Sequence, residues 1–224
     1  MSFNVAIDGP AGAGKSTIAK QVAKKLGYIY VDTGAMYRAM AYFLLQQKVD
    51  MTSSEAIGTE CQNAQISIKY VDGEQVVLCN DENVNAFIRS EEVGKMASVC
   101  SANSKVREKL VDLQRQLAQK ENVVMDGRDI GTVVLPGADV KIFLTASVGV
   151  RAKRRYDELV AKGENPDLAV IEKDIAERDY RDSHREISPL KQAEDAVLLD
   201  SSNMTIQEVM DKILEYVQNN TKDL

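Results

Sequence analysis

Near the start of the chain stands the sequence Val5-Ala6-Ile7-Asp8-Gly9-Pro10-Ala11-Gly12-Ala13-Gly14-Lys15-Ser16-Thr17. Its apolar first residues are typical of a buried parallel strand, and apolar residues between 18 and 26 recur at helical spacing. Between the two, residues 9–16 match the pattern GxxxxGK(S/T). Glycines let successive backbone N–H groups turn toward phosphate oxygens, and the N-terminus of the next helix adds unpaired donors and a positive dipole end. The stretch therefore predicts a phosphate-binding loop between a strand and a helix.

The side chains at the end of this loop predict a nucleoside triphosphate and a metal ion as ligands. Lys15 is expected to reach the β- and γ-phosphates, Ser16 to bind Mg²⁺ through its hydroxyl, and Thr17 to add a phosphate contact. Asp126 is predicted to hold a magnesium-bound water, with a purely local hydrogen bond as the alternative. A turn without a ligand would have no need of the lysine and hydroxyl pair. The residues predicted to bind ATP are Gly9, Pro10, Ala11, Gly12, Ala13, Gly14, Lys15, Ser16 and Thr17.

Short apolar runs and helical patterns alternate along the chain. Strand-like runs occupy residues 5–7, 28–31, 123–126, 140–144 and 197–199. This alternation predicts an α/β fold with a doubly wound, five-stranded parallel sheet, whose ligands lie beyond the carboxyl ends of the strands. From about residue 45 to 100 the alternation is interrupted, and strand-like runs flank Asp72-Gly73, a typical hairpin turn. We interpret this region as an insertion with a small antiparallel sheet.

Three helix starts carry capping residues. Asp32 is predicted to be an N-cap, and the sequences Thr52-Ser53-Ser54-Glu55 and Thr205-Ile206-Gln207-Glu208 have the capping-box pattern. An apolar stripe is expected to pack the last helix on the core, and it consists of Ile206, Val209, Ile213 and Val217.

Composition excludes several classes of function. A net charge of −6 argues against general binding to nucleic acid or to an anionic membrane surface. The three cysteines are widely spaced and His184 is the one histidine, so we do not expect a histidine-based triad or a histidine metal cluster to be the basis of catalysis. Residues 1–8 lack the basic and apolar regions of a secretory leader, and no apolar segment approaches eighteen residues, so we expect neither secretion nor membrane insertion. We therefore expect a cytoplasmic protein with small-molecule partners only, and a monomer.

Arginines are concentrated between residues 151 and 185. Arg151, Arg154 and Arg155 form one group at helical spacing, and Arg178, Arg181 and Arg185 form another. A turn at Gly163 and Pro166 joins the two predicted helices, which are expected to close over bound phosphates. The alternative is a salt-bridged, solvated helix pair. Arginine suits phosphate because its planar fork binds two oxygens at once. The residues predicted to act in catalysis are Lys15, Arg128, Arg151, Arg155 and Arg181.

Several strings resemble the bacterial cytidylate kinases, and the similarity runs nearly from end to end. The similar strings are Ile7-Asp8-Gly9-Pro10, Asp32-Thr33-Gly34-Ala35-Met36-Tyr37-Arg38, Asp126-Gly127-Arg128-Asp129-Ile130-Gly131-Thr132, Lys141-Ile142-Phe143-Leu144, and the segment from Glu177 to Arg185. The resemblance implies a kinase that moves the γ-phosphate of ATP to CMP or dCMP with Mg²⁺. It also implies one domain, with a core at 1–37 and 120–224, a monophosphate-binding insertion at 38–119, and a helical lid at about 151–185.

The same resemblance implies the residues that bind CMP. Arg38, Arg128 and Arg185 match the clamp on its phosphate, and Arg178 and Asp182 match positions near the ribose. Ser98, Arg107 and Asp129 match the base-recognition residues, and Thr33 stands where the resemblance suggests a serine and keeps the hydroxyl.

The sequence leaves two alternative functions open. A small-molecule kinase of the same loop type could act on UMP, AMP, GMP or shikimate, because the phosphate loop does not specify the acceptor. A nucleotide-controlled switch is the second alternative. Against the switch, the chain has no Asn-Lys-x-Asp string near a late strand, where Leu198-Leu199-Asp200-Ser201-Ser202 stands instead.

Overall fold

A computed structural model describes residues 2–221 of the chain. The strands are β1 (Asn4–Asp8), β2 (Ile29–Asp32), β3 (Ile66–Val71), β4 (Glu74–Cys79), β5 (Glu82–Asn83), β6 (Val123–Gly127), β7 (Val140–Thr145) and β8 (Val197–Asp200). The helices are α1 (Lys15–Leu26), α2 (Thr33–Gln46), α3 (Ser54–Glu60), α4 (Glu91–Cys100), α5 (Ser104–Lys120), α6 (Val148–Ala161), α7 (Leu168–His184) and α8 (Ile206–Thr221). A 3₁₀ turn at Cys61–Asn63 and a π-helical turn at Ile130–Val134 complete the regular structure.

The predicted five-stranded parallel sheet is confirmed. Its strand order is β2-β6-β1-β7-β8, and β3, β4 and β5 form a separate three-stranded sheet. In the parallel pairs, Ile7 of β1 lies opposite Asp126 of β6 and opposite Ile142 of β7. Strand β1 has neighbours on both sides, and its residues Val5, Ala6 and Ile7 are fully buried, which explains its uninterrupted apolar sequence.

Contacts within the chain form two compact units, which we call the hairpin unit and the loop unit. The hairpin unit consists of Ser2 with Ile29–Asn122, and the loop unit consists of Phe3–Tyr28 with the described residues from Val123 onward. None of the helices among residues 2–221 is long and apolar enough to cross a membrane.

In the hairpin unit, the hairpin predicted at Asp72-Gly73 is confirmed. Strands β3 and β4 pair antiparallel from Ile66 opposite Cys79 to Val71 opposite Glu74. The two turn residues have φ values of 52° and 77°, as a type I′ turn requires. Helix α2 begins after Asp32, whose carboxylate accepts the Ala35 N–H at 2.8 Å, so this N-cap is also confirmed.

Two details of the capping and packing predictions were wrong. Helix α3 is capped by Ser53, which accepts the Ala56 N–H, whereas the Thr52 hydroxyl donates to Asp50. The box at Thr205 and Glu208 is reciprocal, as predicted, because each residue accepts from the other's backbone N–H. In α8, Ile206 is 52% exposed. It lies in the first turn of the helix, and the buried face begins at Val209 and Met210.

Candidate active site

The phosphate loop of the loop unit turns tightly between β1 and α1. Lys15 is buried and donates its ammonium to the Pro10 carbonyl at 2.7 Å. Gly9 has a φ of 148°, and a Cβ there would lie 1.9 Å from the Leu144 carbonyl oxygen, so only glycine fits. Gly12 and Gly14 also have positive φ. The loop therefore has the glycine-dependent conformation that a phosphate cradle needs.

The Lys15 ammonium lies in an environment that disfavours its charge. Burial and repulsion from Arg128 lower the pKa of Lys15 well below its ordinary value, and Arg178 adds a smaller repulsion. Asp126 and Asp8 oppose this effect and raise the pKa. A bound polyphosphate would bring the missing negative charge, since an opposite charge at short range favours the charged form. The site is thus electrostatically prepared for an anion.

Two oxygen-bearing side chains meet beside the loop. The Ser16 hydroxyl donates to the Asp126 carboxylate at 2.9 Å, which joins the start of α1 to the end of β6. A hydroxyl and a carboxylate are hard oxygen ligands of the kind that Mg²⁺ takes, directly or through water. The residues present therefore fit a magnesium ion shared with nucleotide phosphates, and they also form the local hydrogen bond considered as the alternative.

Asp8, at the end of β1, is a site residue that sequence reasoning missed. Its carboxylate is buried and accepts the N–H groups of Ile130 at 2.8 Å and Gly131 at 2.7 Å. Burial raises the pKa of Asp8 to about 6, with the two backbone hydrogen bonds acting in the opposite direction. These bonds hold the π-helical turn that directly follows Arg128 and Asp129. The sequence did contain a signal for Asp8, namely an acidic residue at the end of an apolar strand and directly before Gly9, the first glycine of the phosphate loop.

Four of the predicted CMP-binding residues pair with one another in the loop unit. Arg128 donates to Asp182 at 2.9 Å, and Arg185 lies 3.6 Å from the Asp129 carboxylate. Arg178 is half-buried on α7 and close enough to act on the charge of Lys15. The structure therefore brings this part of the predicted set together. Arg185 lies just beyond the last residue of α7.

The side chains of the first arginine group, Arg151, Arg154 and Arg155, do not lie together in one cluster. Arg151 is buried, and its guanidinium donates to the carbonyls of Ala11 and Ala146 and to Asp179, at 2.9, 2.8 and 2.6 Å. It thus joins the phosphate loop to α7. Its neighbours turn elsewhere, since Arg154 donates to the Ser201 carbonyl and Arg155 pairs with Glu158.

The second group is more exposed. Arg181 lies exposed on α7, one residue before Asp182, which pairs with Arg128. His184 is also exposed and stacks on Tyr180, with ring centroids 4.0 Å apart. The catalytic roles of Arg151, Arg155 and Arg181 stay predictions.

The hairpin unit holds the other predicted CMP-binding residues. Thr33 is buried at the first position of α2, and Ser98 is half-buried on α4. Arg38 donates to the carbonyls of Ile88 at 3.1 Å and Ser90 at 3.4 Å.

Arg107 is buried in the same unit. Its guanidinium lies over the Tyr37 ring, 5.9 Å from the centroid, and donates to the Ser101 carbonyl at 3.4 Å. A buried, oriented guanidinium is suited to a planar ligand with acceptor atoms.

Comparisons with known proteins agree with this geometry. A family model described as cytidylate kinase matches residues 5–219. The cytidylate kinase of Lactobacillus johnsonii is 54% identical, covering 99% of this chain and 96% of the relative. That of Geobacillus sp. is 52% identical, covering 96% of each chain. The solved structure of an uncharacterized protein from Eubacterium ventriosum covers 97% of this chain and 99% of its own, with a TM-score of 0.54 and 13% identity, which is a likeness of fold alone. From the match over nearly the whole chain, we conclude that the chain belongs to the cytidylate kinase family, a family of phosphotransferases.

Proposed function

We propose that the protein transfers the γ-phosphate of ATP to CMP or dCMP, with ADP and CDP or dCDP as products. The observation that carries the proposal is that Lys15 is buried at the phosphate loop close enough to Arg128 and Arg178 to be repelled by both. Asp126 and Asp8 offset only part of this effect, so the charged lysine is disfavoured until an anion binds there. A kinase whose acceptor is itself a phosphate needs such a second set of cations, since two anions must be brought together.

The chemistry follows from this charge distribution. An oxygen of the CMP phosphate forms a bond to the γ-phosphorus while the bond from that phosphorus to the bridging oxygen of ADP breaks. The acceptor phosphate is mostly dianionic at neutral pH, since its second pKa is about 6, so no general base is required. Lys15 and Arg128 would neutralise the charge that spreads over the equatorial oxygens.

A magnesium ion is part of the proposal. Ser16 and Asp126 would hold it, and when bound it would neutralise charge on the β- and γ-phosphates. The contact of the Ser16 hydroxyl with the Asp126 carboxylate supports this assignment.

We propose the acceptor contacts residue by residue. The residues proposed to bind CMP are Arg38, Arg128 and Arg185 at the phosphate, Arg178 and Asp182 near the ribose, and Thr33, Ser98, Arg107 and Asp129 at the base. A hydroxyl or carboxylate accepts from the amino group of cytosine, and an arginine donates to its ring acceptors. Uracil presents the opposite pattern at that edge, so a mispaired group would cost about 1–3 kcal/mol.

The arginines of α6 and α7 divide into two proposed roles. Arg155 and Arg181 are exposed, and we propose that they reach the transferring phosphoryl group when the lid at about 151–185 closes. Arg151 already donates to Ala11, Ala146 and Asp179, so we propose that it acts by holding the phosphate loop. Residues 38–119 would form the monophosphate-binding region of a single kinase domain.

The proposed function is tested by ADP release. The purified protein is assayed with CMP, dCMP, UMP, AMP, GMP and shikimate, each with and without Mg²⁺. Turnover with CMP and dCMP that requires the metal is expected. Fast turnover confined to UMP, a purine nucleotide or shikimate would refute the acceptor assignment, and ATP binding without ADP release would favour the nucleotide switch.

Location and assembly are also part of the proposal. We propose a cytoplasmic monomer that binds neither nucleic acid nor membranes, in keeping with the net charge of −6. Cell fractionation and light scattering on the purified protein would test these statements.

A further inference from the structure

Side chains of the small sheet cover the outer edge of β2 in the hairpin unit. Strand β2 is an edge strand, and an edge presents unpaired N–H and C=O groups. Gln75 on β4 satisfies two of them, because its side-chain oxygen accepts the Asp32 N–H at 2.8 Å and its amide donates to the Asp32 carbonyl at 3.3 Å. Two residues earlier, the Tyr30 carbonyl accepts from the Tyr70 hydroxyl of β3 at 3.0 Å. The small sheet thus completes the hydrogen bonding of β2 through side chains.

Asp32 is therefore held through both its backbone and its side chain. One carboxylate oxygen accepts the Ala35 N–H at 2.8 Å, and the other accepts from Arg89 at 2.8 Å. The Arg89 side chain is 64% exposed, so solvent screens this ion pair and it contributes little. The half-buried amide of Gln75 is shielded better from solvent. Of the two partners, Gln75 is the stronger constraint on where Asp32 lies.

The position of Asp32 sets the start of α2. Thr33 is the first residue of that helix, and Arg38 follows on the same element. A helix whose N-cap is displaced moves or frays in its first turn, because its first N–H groups lose their acceptor. Any change at Asp32 is therefore transmitted to Thr33 directly and to Arg38 through the helix axis.

We propose that Gln75 is a positioning residue for the acceptor nucleotide, and that this is a task of the small sheet. The proposal rests on the function proposed above, because it assigns Thr33 and Arg38 to the binding of CMP. Gln75 acts through Asp32 and touches no substrate itself. Its two hydrogen bonds hold the backbone at the end of β2. The start of α2 is then already ordered before CMP binds, so binding does not have to supply the free energy of ordering it.

The alternative is that Gln75 only fastens the small sheet to β2. In that case its loss would lower the melting temperature, and substrate binding by the folded protein would stay the same. Positioning makes a different prediction, namely weaker binding of CMP by protein that is fully folded at the assay temperature.

The test compares Gln75→Met, which keeps the side-chain length and removes both hydrogen bonds, with two other variants of the full chain. Tyr70→Phe removes the bond at Tyr30, and Gln65→Met is a matched control at an exposed position just before β3. For each protein, KM for CMP, KM for ATP, kcat and the melting temperature are measured, together with the Kd of CMP by calorimetry. Gln75→Met is expected to raise KM and Kd for CMP about tenfold, equivalent to about 1.4 kcal/mol.

The other variants make the result specific. Tyr70→Phe is expected to give a smaller rise, because its bond lies two residues before the cap, and Gln65→Met none. KM for ATP should stay unchanged in all three. A melting temperature that falls in Gln75→Met with no change in CMP binding would overturn the proposal, and so would an equal rise in both KM values. The ADP-release assay of the wild-type protein with different acceptors tests the proposed function separately. The variants of Gln75, Tyr70 and Gln65 are then compared with the acceptor nucleotide that the wild-type protein phosphorylates.

Discussion

Gly94, in the middle of α4, leaves the space that the Arg38 guanidinium occupies. A Cβ at position 94 would lie 3.0 Å from Nη1 and Nη2 of Arg38 and 3.3 Å from Cζ. These distances are shorter than ordinary van der Waals contacts, so the guanidinium must move away from α4 by a few tenths of an ångström. Its contact with the Ser90 carbonyl is already 3.4 Å long, and Ser90 caps the same helix. Movement away from α4 would break this hydrogen bond.

Gly94→Ala should therefore weaken acceptor binding with little net effect on stability. A displaced Arg38 guanidinium would lose one hydrogen bond to the CMP phosphate, worth about 1–1.5 kcal/mol, which corresponds to about a fivefold to tenfold rise in KM for CMP. Alanine is favoured over glycine inside a helix by about 1 kcal/mol, and loss of the exposed bond to Ser90 offsets a similar amount, so the melting temperature should stay within about 2 °C of the wild type. Gly94→Leu, which is larger and also a good helix former, should raise KM further.

The assay measures KM for CMP and ATP and the melting temperature of each variant. Gly149→Ala in α6 is the matched control, because its Cβ would lie 3.7 Å from Glu172, an ordinary contact. It should leave KM for CMP unchanged. If Gly94→Ala and Gly94→Leu both bound CMP like the wild type, the guanidinium of Arg38 either tolerates displacement or takes no part in binding, and the reasoning would be refuted.

Three further predictions concern other buried groups. Lys15→Ala should lower kcat by about a hundredfold or more in the ADP-release assay, since it removes a cation from the transferring phosphate; unchanged turnover would contradict the mechanism. Because the folded pKa of Asp8 is about 6 and its ordinary value is 3.8, the folded state keeps a proton that the unfolded state loses between these values. The free energy of unfolding should therefore fall as the pH rises from about 4 to about 6. Urea titrations at several pH values would measure this fall, and it should be smaller in Asp8→Asn than in the wild type. Gln114 is buried on α5, and neither its side-chain oxygen nor its side-chain nitrogen has a hydrogen-bond partner among residues 2–221. Gln114→Met should therefore raise the melting temperature by about 2–4 °C in a thermal scan. A lower melting temperature would show that the side-chain amide is hydrogen-bonded in the native protein.

Local chemistry made much of the fold predictable. Strands β1 and β6 contain uninterrupted, fully buried apolar runs, the hairpin has an Asp-Gly turn, and Asp32 and Thr205 cap helices through contacts only three residues away. The glycines of the phosphate loop follow from backbone geometry in the same way. Family resemblance, carried by short strings, correctly indicated the family.

What the amino-acid order determined by itself was therefore the set of elements, their alternation and the phosphate loop, because each depends on residues close together in the chain. Only the tertiary structure decided which distant residues meet. Gln75 bonds to Asp32 across 43 positions, and Asp8 bonds to Ile130 across 122 positions. Arg151, expected beside Arg155, is instead buried against the phosphate loop. Such pairs leave no periodicity in the sequence, since a side-chain hydrogen bond depends on where two elements pack and not on the spacing of either one.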